Sequence, residues 1–239
     1  IPASIDTQLS NSGERPTPPD PPETTRRHRL SLVVVRHGSS TWNDERRIQG
    51  QLDPPLSERG REQALKLGVR FRDTELVGFY SSDLLRARET AAAIGAQIGR
   101  EPVLLPELRE VALGEWEGLQ REEIVARYPD QWSRWIEQPS WNIIPGGEGT
   151  DAFEGRVGAA IEDLVKRHPA GRVLIVTHGG GIQVALLRLV GRPSNGTVPF
   201  PLDNTSVTIP EGGPHRLVVG RGEDPCPPAV TPLRASRPA

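Results

Sequence analysis

The sequence predicts an α/β domain: a three-layer α/β/α sandwich on a mainly parallel sheet. Three observations carry that expectation. Short, largely apolar, β-branched runs such as Leu30–Val35 and Arg172–Val176 read as buried strands. They alternate with longer stretches of helical period, and strand–helix alternation implies crossover connections between parallel strands covered on both faces. A length of 239 residues allows one sizeable domain with a real core.

Residues 1–29 are rich in Pro, Ser, Thr and charge, too poor in apolar surface to offset ordering entropy, and are expected to form a disordered tail. The domain is expected over 30–220, with a second loose tail over 221–239. Within the domain, Leu30–Val35 opens the sheet. Ser57–Arg72 starts at a capping-type Ser and places Ala64, Leu65, Gly68 and Phe71 on one helical face. Leu76–Tyr80 reads as a strand, Asp83–Ile98 as a helix and Val103–Leu105 as a short strand. Gln120–Tyr128 and Asp130–Glu137 are two short helices separated by Pro129. They belong to a helical insertion over about 120–149, expected to cover the site as a small lid. Thr150–His168 is a long amphipathic helix. Arg172–Val176 is a second buried strand, and Gly180–Val190 a helix stopped by Gly191 and Pro193. Thr205–Ile209 and Arg216–Val219 close the sheet. Trp132, Trp135 and Trp141 in the insertion, with Trp116 just before it, either line a leaving-group pocket or pack the insertion onto the core.

A net charge of −2 gives no global footprint for nucleic acid or an anionic membrane. No run approaches the roughly 18 apolar residues of a membrane span, and the first 29 residues lack the apolar core of a signal peptide. A cytoplasmic enzyme is the expectation. The single cysteine, Cys226, excludes an internal disulfide and a multi-cysteine zinc site.

Two strands end alike. Leu32–Val35 runs into Arg36-His37-Gly38, and Val173–Val176 into Thr177-His178-Gly179-Gly180. Each puts a His just past a carboxyl end, beside glycines that let backbone approach a ligand. If the strands are neighbours, the imidazoles converge. A neutral imidazole is a competent nucleophile toward phosphorus, and a phosphohistidine splits hydrolysis into two easier steps. Nearby guanidinium groups oppose imidazole protonation and balance phosphoryl charge. Arg36 adjoins His37, and Arg86 lies at the start of a helix in Ser82-Asp83-Leu84-Leu85-Arg86. A leaving alkoxide needs a proton, for which Glu110, Glu115 and Glu117 are the candidates; spacing does not choose among them.

The ordered set VVVRHGSSTWN, GQLDPPLSERG, YSSDLLRARETA, LREVALGEWEG, PGGE and VTHGG resembles the histidine phosphatase superfamily, in its phosphoglycerate-mutase-like branch, over about residues 30–210. The resemblance implies a phosphoglycerate mutase-like fold and phosphorylation of His37. It implies that Arg36, Arg86 and His178 hold the phosphoryl oxygens, that Glu110 is the acid–base carboxylate, and that Asn43, Gln49 and Gly179 line the phosphate site. It implies neither metal nor nucleotide cofactor, and as partner a small phosphorylated metabolite, with a homodimer allowed. Glu110 and His178 are only 68 positions apart, without an Arg-Arg pair between them, and Ser39 and Gln49 stand where mutases of this type have Glu and Thr. These departures favour a broad-specificity phosphatase over a phosphoglycerate mutase. A non-catalytic binding module on the same fold is the third reading, disfavoured by the intact set of His37, Arg86, Glu110 and His178.

Overall fold

Alternate residues of the central strands feed two separate cores. In the computed structural model, which describes residues 30–189, 202–211 and 216–220, the elements in chain order are β1 (Leu30–Arg36), α1 (Thr41–Asp44), α2 (Glu58–Phe71), β2 (Gly78–Ser81), α3 (Leu85–Ile98), β3 (Val103–Leu104), α4 (Arg121–Arg127), α5 (Pro129–Glu137), α6 (Thr150–Arg167), β4 (Gly171–Thr177), α7 (Gly179–Leu189), β5 (Val207–Glu211) and β6 (Arg216–Gly220). The two expected tails, Cys226, and the helix stop at Gly191 and Pro193 lie outside the described residues.

The strands form one sheet in the order β3-β2-β4-β1-β5-β6. The pairs β3–β2, β2–β4 and β4–β1 are parallel, while β5 and β6 join antiparallel. Val33, Val35, Leu174 and Val176 point to one face, against Leu67 and Phe71 of α2 and Ala87, Ala91 and Ile94 of α3. Leu32, Val34, Val173 and Ile175 point to the other, against Phe153, Val157, Ile161 and Leu164 of α6 and Ile182 and Leu186 of α7. Strict alternation in β1 and β4 thus fills both helical layers, each fully buried large side chain contributing about 2 kcal/mol.

Two local expectations are corrected. Leu65 is 54% exposed and Leu67 takes its place in the core. The buried stripe of α2 is Gly60, Ala64, Leu67, Gly68 and Phe71, a spacing of three and four residues that Leu65 breaks. The first closing strand starts at Val207 rather than Thr205, because Thr205 sits at φ 61° in the left-handed region, outside any ladder. Elsewhere the ends of elements shift by one or two residues.

The segment between β3 and α6 packs as a subsidiary cluster around Trp116, Ile124 and Ile144. Ring contacts run from Trp132 and Trp135 to Trp116, and from Trp135 through Trp141 to Phe153 of the main core. The tryptophan faces are therefore spent on one another and on the core. Backbone bonds Ile48 N–H to Leu119 and Gly118 N–H to Ile48 tie this segment to the loop after α1.

Candidate active site

The pairing of β1 with β4 places the two histidines. Val35 is in register with Val176 and Arg36 with Thr177, so His37 and His178 leave the sheet at the same level. The chain leaves β1 toward β2 on one side and β4 toward β5 on the other, which opens a crevice at their carboxyl ends. The rings meet there with centroids 5.1 Å apart, tilted 58°. His37 is 2% exposed and His178 fully buried.

His37 is held on every side. Its Nδ1 lies 2.6 Å from the carbonyl of Gly38. A carbonyl only accepts, so Nδ1 carries the proton and Nε2 keeps a lone pair. Gly38 N–H donates to Thr90 Oγ1 of α3, 3.0 Å away, and Asn204 Nδ2 donates to the His37 carbonyl at 3.1 Å. Thr205 N–H reaches the Arg36 and His37 carbonyls. Asn204 and Thr205 escape a reading of the sequence. They lie more than 160 positions from His37 in a stretch without motif, and a β-branched residue at positive φ is visible only in the fold.

Arg36 donates through Nη1 to the Leu202 carbonyl. Arg86, 1% exposed, donates to the carbonyls of Gly50 at 2.7 Å and Leu52 at 2.9 Å. Gly50 adopts φ 54° to present its carbonyl, and a Cβ there would lie 2.0 Å from Glu117 Oε1. Burial lowers the pKa of both guanidinium groups, Arg86 to about 10, against the opposing pull of Glu110. Both remain cations at neutral pH. Arg88, one step from Arg86, is exposed.

The fold separates the three glutamates. Glu110 Oε2 accepts from Gly180 N–H at the start of α7, 3.2 Å away, and Oε1 from Val111 N–H at 3.0 Å. A Cβ on Gly180 would come within 2.3 Å of Glu110 Oε1, whereas one on Gly179 would meet only ordinary contacts, at 3.9 Å or more. Arg156, paired with Glu148, pins the Glu110 carbonyl at 3.3 Å. Glu117 accepts from Gln51 and Leu113 N–H, and Glu115 from Tyr128 Oη, so both carboxylates are engaged by other groups. Asn43 and Gln49 turn their side-chain oxygens to Ser40, leaving their amide NH₂ groups as donor ends without a partner among the described residues; Asn43 also accepts from Asn204.

Three buried side-chain nitrogens here have no hydrogen-bond partner among the described residues: Arg36 Nε, Arg86 Nε and His178 Nδ1. Each unsatisfied group costs about 1–3 kcal/mol. Together they fit a multi-oxygen anion better than any apolar ligand.

The profile of the histidine phosphatase superfamily, branch 1, matches residues 32–224. This chain belongs to that superfamily. It is 34% identical over 180 residues to phosphoserine phosphatase 1 of Hydrogenobacter thermophilus, covering 75% of this chain and 85% of the relative. It is 39% identical over 181 residues to phosphoglycerate mutase-like protein 4 of Arabidopsis thaliana, covering 74% and 77%. A solved mycobacterial glucosyl-3-phosphoglycerate phosphatase, complexed with VO3, aligns at TM-score 0.68 and 33% identity over 75% of this chain and 90% of its own. The chain is a phosphatase-type enzyme on a phosphoglycerate mutase-like fold. Among the described residues no helix is long and apolar enough to cross a membrane.

In this histidine phosphatase both imidazoles are held well below the usual histidine range, by burial first and by Arg86 and Arg36 next. The unfolded chain takes up protons near pH 6.5, while the folded one stays neutral to lower pH. The unfolded state then binds more protons, so stability is full above about pH 6.5 and falls as pH drops below it. Asp44 and Asp83 have lowered pKa values and lose their contributions only at still lower pH. The urea midpoint should therefore decline between about pH 6.5 and 4. The acidic limb of kcat/KM should lie below 6.5; a limb at or above 6.5 contradicts a neutral resting imidazole.

Proposed function

We propose that the protein hydrolyses small phosphomonoesters without a metal, through a phosphohistidine on His37. The observation that carries the proposal is the buried His37, whose Nδ1 is held by the Gly38 carbonyl and which burial, Arg86 and Arg36 keep neutral, beside side chains bearing three buried nitrogens without a hydrogen-bond partner among the described residues.

His37 Nε2 attacks phosphorus in line with the leaving oxygen, forming the N–P bond as the P–O bond breaks. Nδ1–H stays on the Gly38 carbonyl and fixes the ring's aim. Arg36, Arg86 and His178 hold the equatorial oxygens, with Asn43 and Gln49 NH₂ groups at the rim, and are worth most as charge spreads in the transition state. Glu110 protonates the leaving alkoxide. It then takes a proton from water, which attacks phosphorus, breaks the N–P bond and releases phosphate. The segment over 120–149 acts as a fixed cover that sets leaving-group size, since its aromatic rings anchor it to the core.

The test is phosphate release from p-nitrophenyl phosphate and a panel of phosphorylated metabolites, with chelator present, and alkaline-quench labelling of His37. Turnover with a base-stable label on His37 is expected. No release across the panel overturns the proposal. Isomerisation of 3-phosphoglycerate outpacing phosphate release replaces it with a mutase.

Glu110→Gln should separate leaving groups. Alkyl phosphates, whose alkoxides need the proton, should lose roughly 10²–10⁴-fold in kcat, but p-nitrophenyl phosphate less than about tenfold. The ratio between substrates is the readout, because the amide also disturbs the N–H groups of Val111 and Gly180. Equal losses on both would remove Glu110 from proton transfer.

A further inference from the structure

Ser82 has no part in the mechanism above. It is fully buried, between β2 and α3, and its Oγ lies 2.8 Å from Nε2 of His178. The same Oγ accepts from Leu84 N–H at 3.3 Å. We infer that Ser82 is a positioning residue that fixes the proton of His178 on Nδ1, so that the ring offers a donor to the phosphoryl group. This rests on the phosphatase reading only for what the donor touches.

The inference follows from counting protons. A neutral imidazole has one N–H and one lone pair. Suppose Nε2 carried the proton. It would donate to Ser82 Oγ, which already accepts from Leu84, and the hydroxyl's own hydrogen would be left without an acceptor among the described residues. Nδ1, buried and unpartnered, would then turn a bare lone pair on an anion. In the opposite tautomer Ser82 donates to Nε2 and accepts from Leu84, so every group of Ser82 is satisfied. The one group left over is Nδ1–H, a donor in the site where a phosphoryl oxygen needs one. The neutral state of the ring agrees with this, since burial and the two arginines disfavour a second proton. Asp83, next in sequence, does not compete, because Arg109 takes both its oxygens at 2.7 and 2.5 Å.

The consequence is a residue that acts on rate and not on fold. In Ser82→Ala, Nε2 loses its donor and Nδ1 its fixed proton, so the ring samples both tautomers. On p-nitrophenyl phosphate kcat should fall roughly 10–100-fold, with KM changed less than about threefold, because the donor matters most as charge develops. Ser82→Thr keeps the hydroxyl and should recover most of the rate.

The deciding measurement is ¹⁵N–¹H long-range correlation on the full chain, with the His178 ring assigned by its loss in His178→Gln. Wild type should show a protonated Nδ1 and an unprotonated Nε2, and Ser82→Ala a shift toward the other tautomer. A wild-type ring protonated on Nε2 overturns the inference whether or not Ser82→Ala folds. So does a Ser82→Ala variant that keeps both tautomer and rate. The two readings fail separately: an inactive wild type rejects the phosphatase mechanism but leaves the tautomer measurable. An active, phosphohistidine-forming wild type with the wrong tautomer rejects Ser82 alone.

Discussion

His37→Ala is expected to lower kcat for phosphate release by on the order of 10⁴-fold or more while changing ester affinity only a few-fold. The two effects separate because the groups are separate. Alanine removes the Nε2 lone pair, so no N–P bond can form and hydrolysis must proceed by direct attack of water. Arg36, Arg86 and His178 stay in place, because their anchors are the carbonyls of Leu202, Gly50 and Leu52 and the hydroxyl of Ser82, none of which belongs to His37. A barrier increase of about 5 kcal/mol corresponds to that rate loss. Folding should suffer little. The variant loses the Nδ1–H bond to the Gly38 carbonyl and leaves a small cavity, but the Gly38 and His37 backbone remains tied to Thr90 and Asn204. Steady-state kinetics, vanadate inhibition and alkaline-quench labelling together check this. Residual turnover within a hundredfold of wild type, or a label persisting on another residue, would remove His37 from the chemistry.

The parts of the site legible in the sequence are those whose neighbours are local or strand-borne. Arg36 and His37, and His178 with its glycines, sit at the ends of β1 and β4, and an apolar strand announces where it ends. That the two ends meet follows from parallel pairing, which the strand–helix alternation predicts and the register of Val35 with Val176 shows. Glu110 is different. Glu110, Glu115 and Glu117 fall within eight residues on an irregular stretch, and no period says which one turns inward. Tertiary bonds decide it: Gly180 N–H donates to Glu110, Tyr128 Oη to Glu115, and Gln51 and Leu113 N–H to Glu117. Asn204, Thr205 and Ser82 are less visible still. Their importance lies in one long-range contact each, and a lone Asn or Ser near a strand end is usually a turn or cap residue. Leu65 of α2 is exposed against expectation for a related reason, since an apolar residue on a helix is not bound to lie on its buried stripe.

Replacing Arg86 should cost activity in two ways at once, and their separation tests the electrostatic part of the mechanism. Arg86→Leu removes a donor to the phosphoryl oxygens, worth on the order of 10³-fold in kcat/KM. It also removes one of the two cations that hold His37 below the usual histidine range. With that repulsion gone the imidazole protonates at higher pH, so the acidic limb of the rate profile should move up toward neutrality. Stability should drop by about 1–3 kcal/mol, because the Gly50 and Leu52 carbonyls lose their donors; relief from burying a charge offsets part of that. Arg86→Lys separates charge from geometry. A single ammonium keeps the field, so the acidic limb should stay near its wild-type position. It cannot reach both carbonyls and a phosphoryl oxygen together, so most of the rate loss should persist. A Lys variant as fast as wild type would show that the guanidinium fork is dispensable. A Leu variant with an unmoved limb would show that Arg86 does not hold His37 neutral, leaving burial and Arg36 to do so.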